Sequence, residues 1–306
     1  MKKFILLLCT ILFVSCAPKY ESVSTPSQIP PNFENGENPL TNHDTYISFA
    51  DVSTSFSAGT LVMKGGSVPE VLVCPENITS SICEPNEILI YLIDAESLTS
   101  PGNEDIVLLR STDEGKSWSE KETITLVGKL NKGPAVDPSI VMLSDGTIRL
   151  YYFGPDGSFD PFSKGENSVY SAASKNGINF TVEEGIRLTA TSLTDPDVTK
   201  WNEKWYMAYS TGLTSGLAVS EDGLNFKDSG EVSENAGGVP GLFADFEKLR
   251  IYGCGSEGIS SAYSSNGKSF TKDVTKVVDI PGAVCDPSIS YSSSLGYVFV
   301  YKKVYS

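Results

Sequence analysis

The chain has 306 residues, 40% hydrophobic and 20% charged, with 27 glycines and 17 prolines. That is a globular composition, enough for one large β domain or two small ones. The formal net charge is −15 and no run of Lys or Arg interrupts it, which makes nucleic acid and anionic membrane surfaces poor partners. With a single histidine, His43, a histidine metal cluster is excluded by count, and neither a Cys-x-x-Cys pair nor a phosphate-binding glycine loop occurs. No metal or cofactor is expected.

Met1 to Cys16 reads as a targeting segment. Lys2 and Lys3 precede an apolar run, Phe4 to Val14, too short to span a bilayer as a mature helix. Its end, Leu12-Phe13-Val14-Ser15-Cys16-Ala17, resembles a bacterial lipoprotein signal, with Phe13 where Leu is usual. The resemblance implies lipidation at Cys16, and Ala17 after it implies sorting to the outer membrane; a plain secretory signal is the alternative. Residues 17–42 carry Pro18, Pro26, Pro30, Pro31 and Pro39 among Ser, Asn and Glu without apolar periodicity. They read as a tether with a coil reach of roughly 25–30 Å. His43 stands at its end and is expected at the surface.

From residue 43 to 306 the chain reads as short strands and turns. Leu108 to Trp118 (LLRSTDEGKSW) is an apolar strand, a Ser-Thr-Asp-Glu-Gly turn and a tryptophan. Weaker copies run Ser174 to Phe180, Ser220 to Phe226 and Ser264 to Phe270. Asp or Asn beside Gly suits the positive φ of a tight hairpin. Between these turns a second element recurs: Val136-Asp137-Pro138-Ser139-Ile140, Thr194-Asp195-Pro196-Asp197-Val198 and Cys285-Asp286-Pro287-Ser288-Ile289, each ahead of an aromatic-rich strand. Degraded copies are Val68-Pro69-Glu70-Val71 and Val239-Pro240-Gly241-Leu242. Five units of four strands, spaced roughly 45–60 residues, predict an all-β, five-bladed propeller. The last unit runs out before its outer strands, and Tyr46 to Phe56 looks like the missing outer pair. The N-terminal strands are therefore expected to close the last blade and remove the open sheet edges.

The Ser-x-Asp-x-Gly-x-x-Trp turn is similar to the Asp box of bacterial sialidases. The five-blade count and the Asp-Pro inner strands resemble the arabinanase and β-xylosidase type of glycosidase, glycoside hydrolase family 43 and its furanosidase relatives. That resemblance implies carboxylates on different blades at the axial face, acting as base or nucleophile, as acid, and as tuning group. Glu70, Asp137, Asp195 and Asp286 are the candidates, read as inner-strand starts in four of five blades. Glycoside cleavage needs at least two acids, one protonated and one not. Val68-Pro69-Glu70-Val71 resembles the family's Trp-Ala-Pro-Glu-Val segment without its Trp, and the family's Glu-Gly-Pro acid is replaced by Gly238-Val239-Pro240 or Thr194-Asp195-Pro196. Asp before Pro also caps and starts a strand for purely structural reasons.

Phe159, Asp160, Phe162 and Glu166 in the longest axial-face loop, with Glu257, are candidate contacts to a sugar. The sialidase reading is disfavoured. It needs three arginines on a substrate carboxylate, and of Arg110, Arg149, Arg187 and Arg250 Arg149 and Arg250 should lie at the far face. Four cysteines remain beyond the signal, an even number in an exported chain, and the expected pairs are Cys74–Cys83 and Cys254–Cys285. The function expected is a surface-anchored, monomeric propeller acting on an oligo- or polysaccharide, as a glycoside hydrolase using paired carboxylates. The alternative is a non-catalytic module binding a carbohydrate or a protein on the same face.

Overall fold

The structure is a computed structural model and describes residues 42–77, 81–95, 106–130, 133–154, 165–232 and 236–305. The signal segment and tether lie outside them.

Five sheets form a ring, a five-bladed β-propeller. Blade 1 holds β3 (Gly66–Val73), β4 (Ile88–Asp94), β5 (Ile106–Ser111) and β6 (Glu122–Thr123). Blade 2 is built on β8 (Val136–Met142), β9 (Ile148–Gly154), β10 (Glu166–Ser174) and β11 (Asn179–Val182), widened by β7 (Thr125–Val127) and β12 (Leu188–Thr191). Blade 3 runs through β13 (Thr194–Trp201), β14 (Lys204–Ser210), β15 (Ser215–Ser220) and β16 (Lys227–Glu231). Blade 4 is β17 (Gly238–Asp245), β18 (Lys248–Gly255), β19 (Gly258–Ser264) and β20 (Thr271–Val274). In blade 5, β21 (Ala283–Ser292) and β22 (Gly296–Val304) are inner, and β1 (His43–Ala50) and β2 (Thr60–Lys64) are outer.

Burial explains the sequence rhythm. Second strands such as β4 and β9 are buried at every residue, because neighbouring blades cover both faces. They therefore read as largely apolar runs, broken only by Asp94 in β4 and Arg149 in β9. The outermost β16, Lys-Asp-Ser-Gly-Glu, is exposed throughout.

Closure runs through an antiparallel ladder from His43↔Val304 to Ala50↔Tyr297. The second outer strand is Thr60–Lys64 rather than the end of the Tyr46–Phe56 stretch; Phe56 instead makes an isolated bridge to Val278 and is buried against Phe299. This ladder also corrects the placement of His43. It is the first residue of β1 and is buried, and burial lowers its imidazole pKa, with the Lys302 ammonium adding to the effect.

On the face away from the inner-strand starts, the tight turns share one hydrogen-bond pattern. Gly115 N–H donates to Ser111 Oγ, whose hydroxyl donates to Asp113. The same bonds recur at Ser174/Asn176/Gly177, Ser220/Asp222/Gly223 and Ser264/Asn266/Gly267. Tyrosines of the preceding blade hold the next segment by its carbonyl: Tyr91 to Gly177, Tyr151 to Gly223 and Tyr252 to Ser53. Gly267 has φ +70°, and a Cβ there would lie 2.3 Å from the Tyr206 hydroxyl, so this seat requires glycine.

Candidate functional site

Every innermost strand breaks register at one dipeptide: Val68-Pro69, Asp137-Pro138, Asp195-Pro196, Val239-Pro240 and Asp286-Pro287. Proline offers no N–H to the ladder, so a bulge forms there. The residue before each proline is left-handed, with φ of 45°, 54°, 47°, 49° and 52° in that order. Aspartate tolerates this region, whereas β-branched valine does not; Val68 and Val239 each hold strain on the order of 1–3 kcal/mol. All five dipeptides line a single narrow funnel at the propeller axis, with a cavity volume of about 20 Å³.

The prolines sort the polar residues into two tiers. The upper tier, before proline, is Val68, Asp137, Asp195, Val239 and Asp286. The lower tier, after proline, is Glu70, Ser139, Asp197, Gly241 and Ser288. Glu70 is thus not the blade-1 counterpart of Asp137; it lies two positions further on, and Val68 holds the upper place. The acid-to-acid alignment misleads because the bulge is fixed by proline, not by the carboxylate.

The lower tier fastens each blade to the next. Val71 N–H donates to Ser288 Oγ (3.0 Å), Ile140 N–H to Glu70 Oε1 (3.3 Å), Val198 N–H to Ser139 Oγ (2.9 Å) and Leu242 N–H to Asp197 Oδ2 (2.5 Å). Ser139 Oγ–H also donates to Asp197 Oδ1 at 2.9 Å. Gly241 has no side chain to offer; a Cβ there would lie 2.2 Å from the Pro287 carbonyl oxygen, so blades 4 and 5 meet backbone to backbone.

The upper tier is looser. Asp137 and Asp195, on adjacent blades, are half-buried. Asp195 N–H donates to Asp137 Oδ2 at 3.1 Å, and Thr194 Oγ1–H donates to Asp195 Oδ2 at 2.7 Å. Asp286 is buried and committed: its Oδ2 accepts Val68 N–H at 3.1 Å and faces Lys302 Nζ at 2.5 Å.

Burial raises every upper- and lower-tier acid whose shift is resolved. It pushes Asp137 well above the usual carboxylate range, helped by the charge of Asp195, and Glu70 likewise, helped by Asp197. Asp195 is pushed up to about 6 by burial and then by Asp286. Asp197 also reaches about 6 through burial, with the Leu242 N–H bond pulling the other way. Two acids on adjacent blades, facing one funnel, one raised well above the usual carboxylate range and the other to about 6, can give and take protons at a bound ligand.

The other candidates fall as follows. Glu166 opens β10 and Glu257 sits in the turn between β18 and β19; both are exposed, at the strand ends on the funnel side. Phe159, Asp160, Phe162 and Cys16 lie outside the described residues. Cys74 is joined to Cys83, and Cys254 to Cys285, the latter linking β18 to β21 beside Asp286. Asp286 N–H approaches Cys254 Sγ at 3.3 Å. Among the described residues the only three potential metal-ligand atoms in close company are those of Cys254, Cys285 and Asp286, and the disulfide leaves no thiolate there. The four arginines are spent elsewhere: Arg110 on Glu87, Arg149 on Glu183, Arg187 on the Glu184 and Gly185 carbonyls, Arg250 on Asp245 and Asp273. None lines the funnel. Asp197, Ser139 and Lys302 were not singled out from sequence. A polar residue recurring just after Pro was available as a signal for the first two.

No family model matches the chain, and no curated protein does. Solved structures do match in fold. A family 117 glycoside hydrolase of the marine bacterium Zobellia galactanivorans aligns with a TM-score of 0.54 at 14% identity, over 87% of this chain and 91% of that one. The GH43_1 enzyme of Xanthomonas citri complexed with xylotriose gives 0.56 at 13% identity, over 88% and 89%. An N-acetylgalactosamine deacetylase from F. plautii gives 0.55 at 13% identity, over 83% of each chain. The class defined is therefore a five-bladed β-propeller, with glycoside hydrolases of families 43 and 117 among its structural neighbours. At these identities the likeness is one of fold.

Proposed function

We propose that this chain is a glycan-handling propeller that hydrolyses a glycosidic bond at the axial funnel, with Asp137 and Asp195 as the reacting carboxyl pair. The observation that carries the reading is their placement. They stand half-buried on adjacent blades, open to one funnel, with Asp195 held at about 6. Glycoside cleavage needs a protonated carboxyl to supply the leaving oxygen with a proton, and a carboxylate to assist water or bond the sugar. Two acids whose surroundings raise both above the usual carboxylate range meet that need. Glu70 and Asp197 line the same funnel but are buried, and serve the frame instead. The glycosidase neighbours add support at the level of fold. The substrate would be an oligo- or polysaccharide, met at the cell envelope by a monomer anchored through Cys16; Glu166 and Glu257 would border it.

The test is a screen of chromogenic furanosides and pyranosides against the chain, followed by Asp137→Asn. This change keeps an oxygen for the Asp195 N–H and removes only the charge. Activity is expected to fall by roughly two to four decades, the range for a positioned acid or base, with the melting temperature held or raised as repulsion is relieved. Wild-type protein that binds glycans on an array but turns over none of them would refute the hydrolase reading and leave the binding module.

A further inference from the structure

The axial acids have one cationic neighbour that the reading above does not use. Lys302 lies near the end of β22, opposite Cys285 on one side and Thr45 on the other. Its Nζ is 2.5 Å from Asp286 Oδ2 and donates to Ser67 Oγ at 3.3 Å. Its side chain is only 20% exposed. It therefore bridges the inner strand of blade 5 to that of blade 1, directly under the upper tier. The wall around it is polar. Residues directly opposite in an antiparallel pair share a face, so Thr45 points to the same side as Lys302, and His43 two residues away does too. Thr45 Oγ1 and His43 Nε2 are both buried and have no hydrogen-bond partner among the described residues. The titratable groups facing the ammonium are Asp286 on β21, Asp137 on β8, Asp195 on β13 and His43 on β1.

We propose that Lys302 is the positioning residue of the axial site: locked on Asp286 and Ser67, its ammonium ties Asp286 into a buried ion pair in a non-reacting role and leaves Asp137 and Asp195 as the reacting pair. The assignment of that pair rests on the hydrolase reading; the charge-setting role of Lys302 does not. Geometry makes the division. Asp286 Oδ2 is taken by Lys302 and the Val68 amide, so a substrate would have to displace a buried ion pair to use that oxygen. Among the described residues Asp137 and Asp195 have no such cation within bonding distance, yet feel the same ammonium across the funnel. Burial alone would strip a proton from Lys302; the charges of Asp286, Asp195 and Asp137 outweigh it and keep it charged. The same charge holds Asp137 and Asp195 below where burial and mutual repulsion would otherwise leave them.

The experiment is a carboxyl-carbon NMR titration of the full chain, labelled at aspartate, for wild type, Lys302→Met and Lys302→Arg. The Asp137 and Asp195 titrations are expected to move to higher pH in Lys302→Met by a shift on the order of one pH unit, tenfold in proton affinity, and to stay near wild type in Lys302→Arg. The limbs of the pH–rate profile should move with them. A purely structural lysine would leave both titrations in place in Lys302→Met, and that result overturns the proposal, as does Lys302→Arg moving as far as Lys302→Met. If Lys302→Met does not fold, the wild-type Lys302 nitrogen resonance decides: an ammonium persisting beyond pH 9 supports the role, and deprotonation below it overturns the role. A shifted titration with no glycoside turnover would keep the Lys302 assignment and sink the hydrolase reading.

Discussion

Stability against pH tests the buried acids without any substrate. Asp197 is the cleanest probe, because it is buried and bonded to Ser139 and Leu242. Its folded pKa is about 6, against about 3.9 for an unfolded aspartate. Between those values the folded state holds the proton longer than the unfolded chain, so stability falls as pH rises through the window and levels off above it. The whole effect is about 3 kcal/mol; about a third is already lost by pH 4.5, leaving about 2 kcal/mol between pH 4.5 and 7.5. His43 opposes it. Its lowered pKa contributes stability above the ordinary histidine value, which is lost as pH falls through the folded one. Asp113, held at about 2 by its Ser117 and Ser111 bonds, matters only in stronger acid. Comparing wild type with Asp197→Asn removes these shared groups from the measurement. In urea unfolding at pH 4.5, 6.0 and 7.5, wild type minus variant should fall by at least about 2 kcal/mol across the range. It is a lower bound because Glu70, raised in part by Asp197, relaxes in the variant as well. A difference that is flat, or that rises with pH, would refute the picture of a protonated, buried lower tier.

Ser139→Ala removes the acceptor of Val198 N–H and a donor to Asp197 in a fully buried place; it should cost about 2–4 kcal/mol at unchanged m-value, and a loss below about 1 kcal/mol in urea unfolding would refute the inter-blade latch. The Cys254–Cys285 bridge spans a sequence separation of 31 and Cys74–Cys83 one of 9, so chain entropy predicts about 4 kcal/mol lost on replacing the first pair by serine and about 3 kcal/mol for the second. Thermal unfolding of the two double variants checks that order, and a reversed order contradicts the argument.

Much of the ring was legible because each feature that marks it is local. The Ser-Asp-Gly turns announce themselves through residues within four positions of one another, and the blade centres through unbroken apolar runs such as Ile88 to Ile93. Closure was legible from what the last unit lacked. The site was harder to read, because its contacts cross blades. Glu70 looked like Asp137 in sequence, yet the left-handed residue before proline is Val68, and only the register of β3 against β4 shows it. His43 follows a polar stretch and gives no local sign of burial; it is buried because β1 pairs with the final strand. Lys302 carries no motif at all. Its meaning comes from the hairpin that sets it across from Cys285, one residue before Asp286, and from Ser67 on a blade far away in sequence.

The two tiers separate holding from reacting, and proline is what lets one strand do both. In a continuous ladder residues two apart share a face of the sheet, so Asp195 and Asp197 would both point into the same inter-blade space. The bulge at each Pro sets two residues opposite one on the partner strand, and the residue ahead of the proline lines the funnel while the residue behind it stays within reach of the next blade's amide. Blade 3 shows the result most fully. Asp195 and Asp197 flank one proline, both at about 6 and both through burial, yet Asp197 binds backbone on blade 4 and Asp195 is open to the axis. Equal proton affinity with unequal access means that titration alone cannot identify a reacting acid in this ring. Exposure can: all four acids line the funnel, but Asp137 and Asp195 are half-buried where Glu70 and Asp197 are buried.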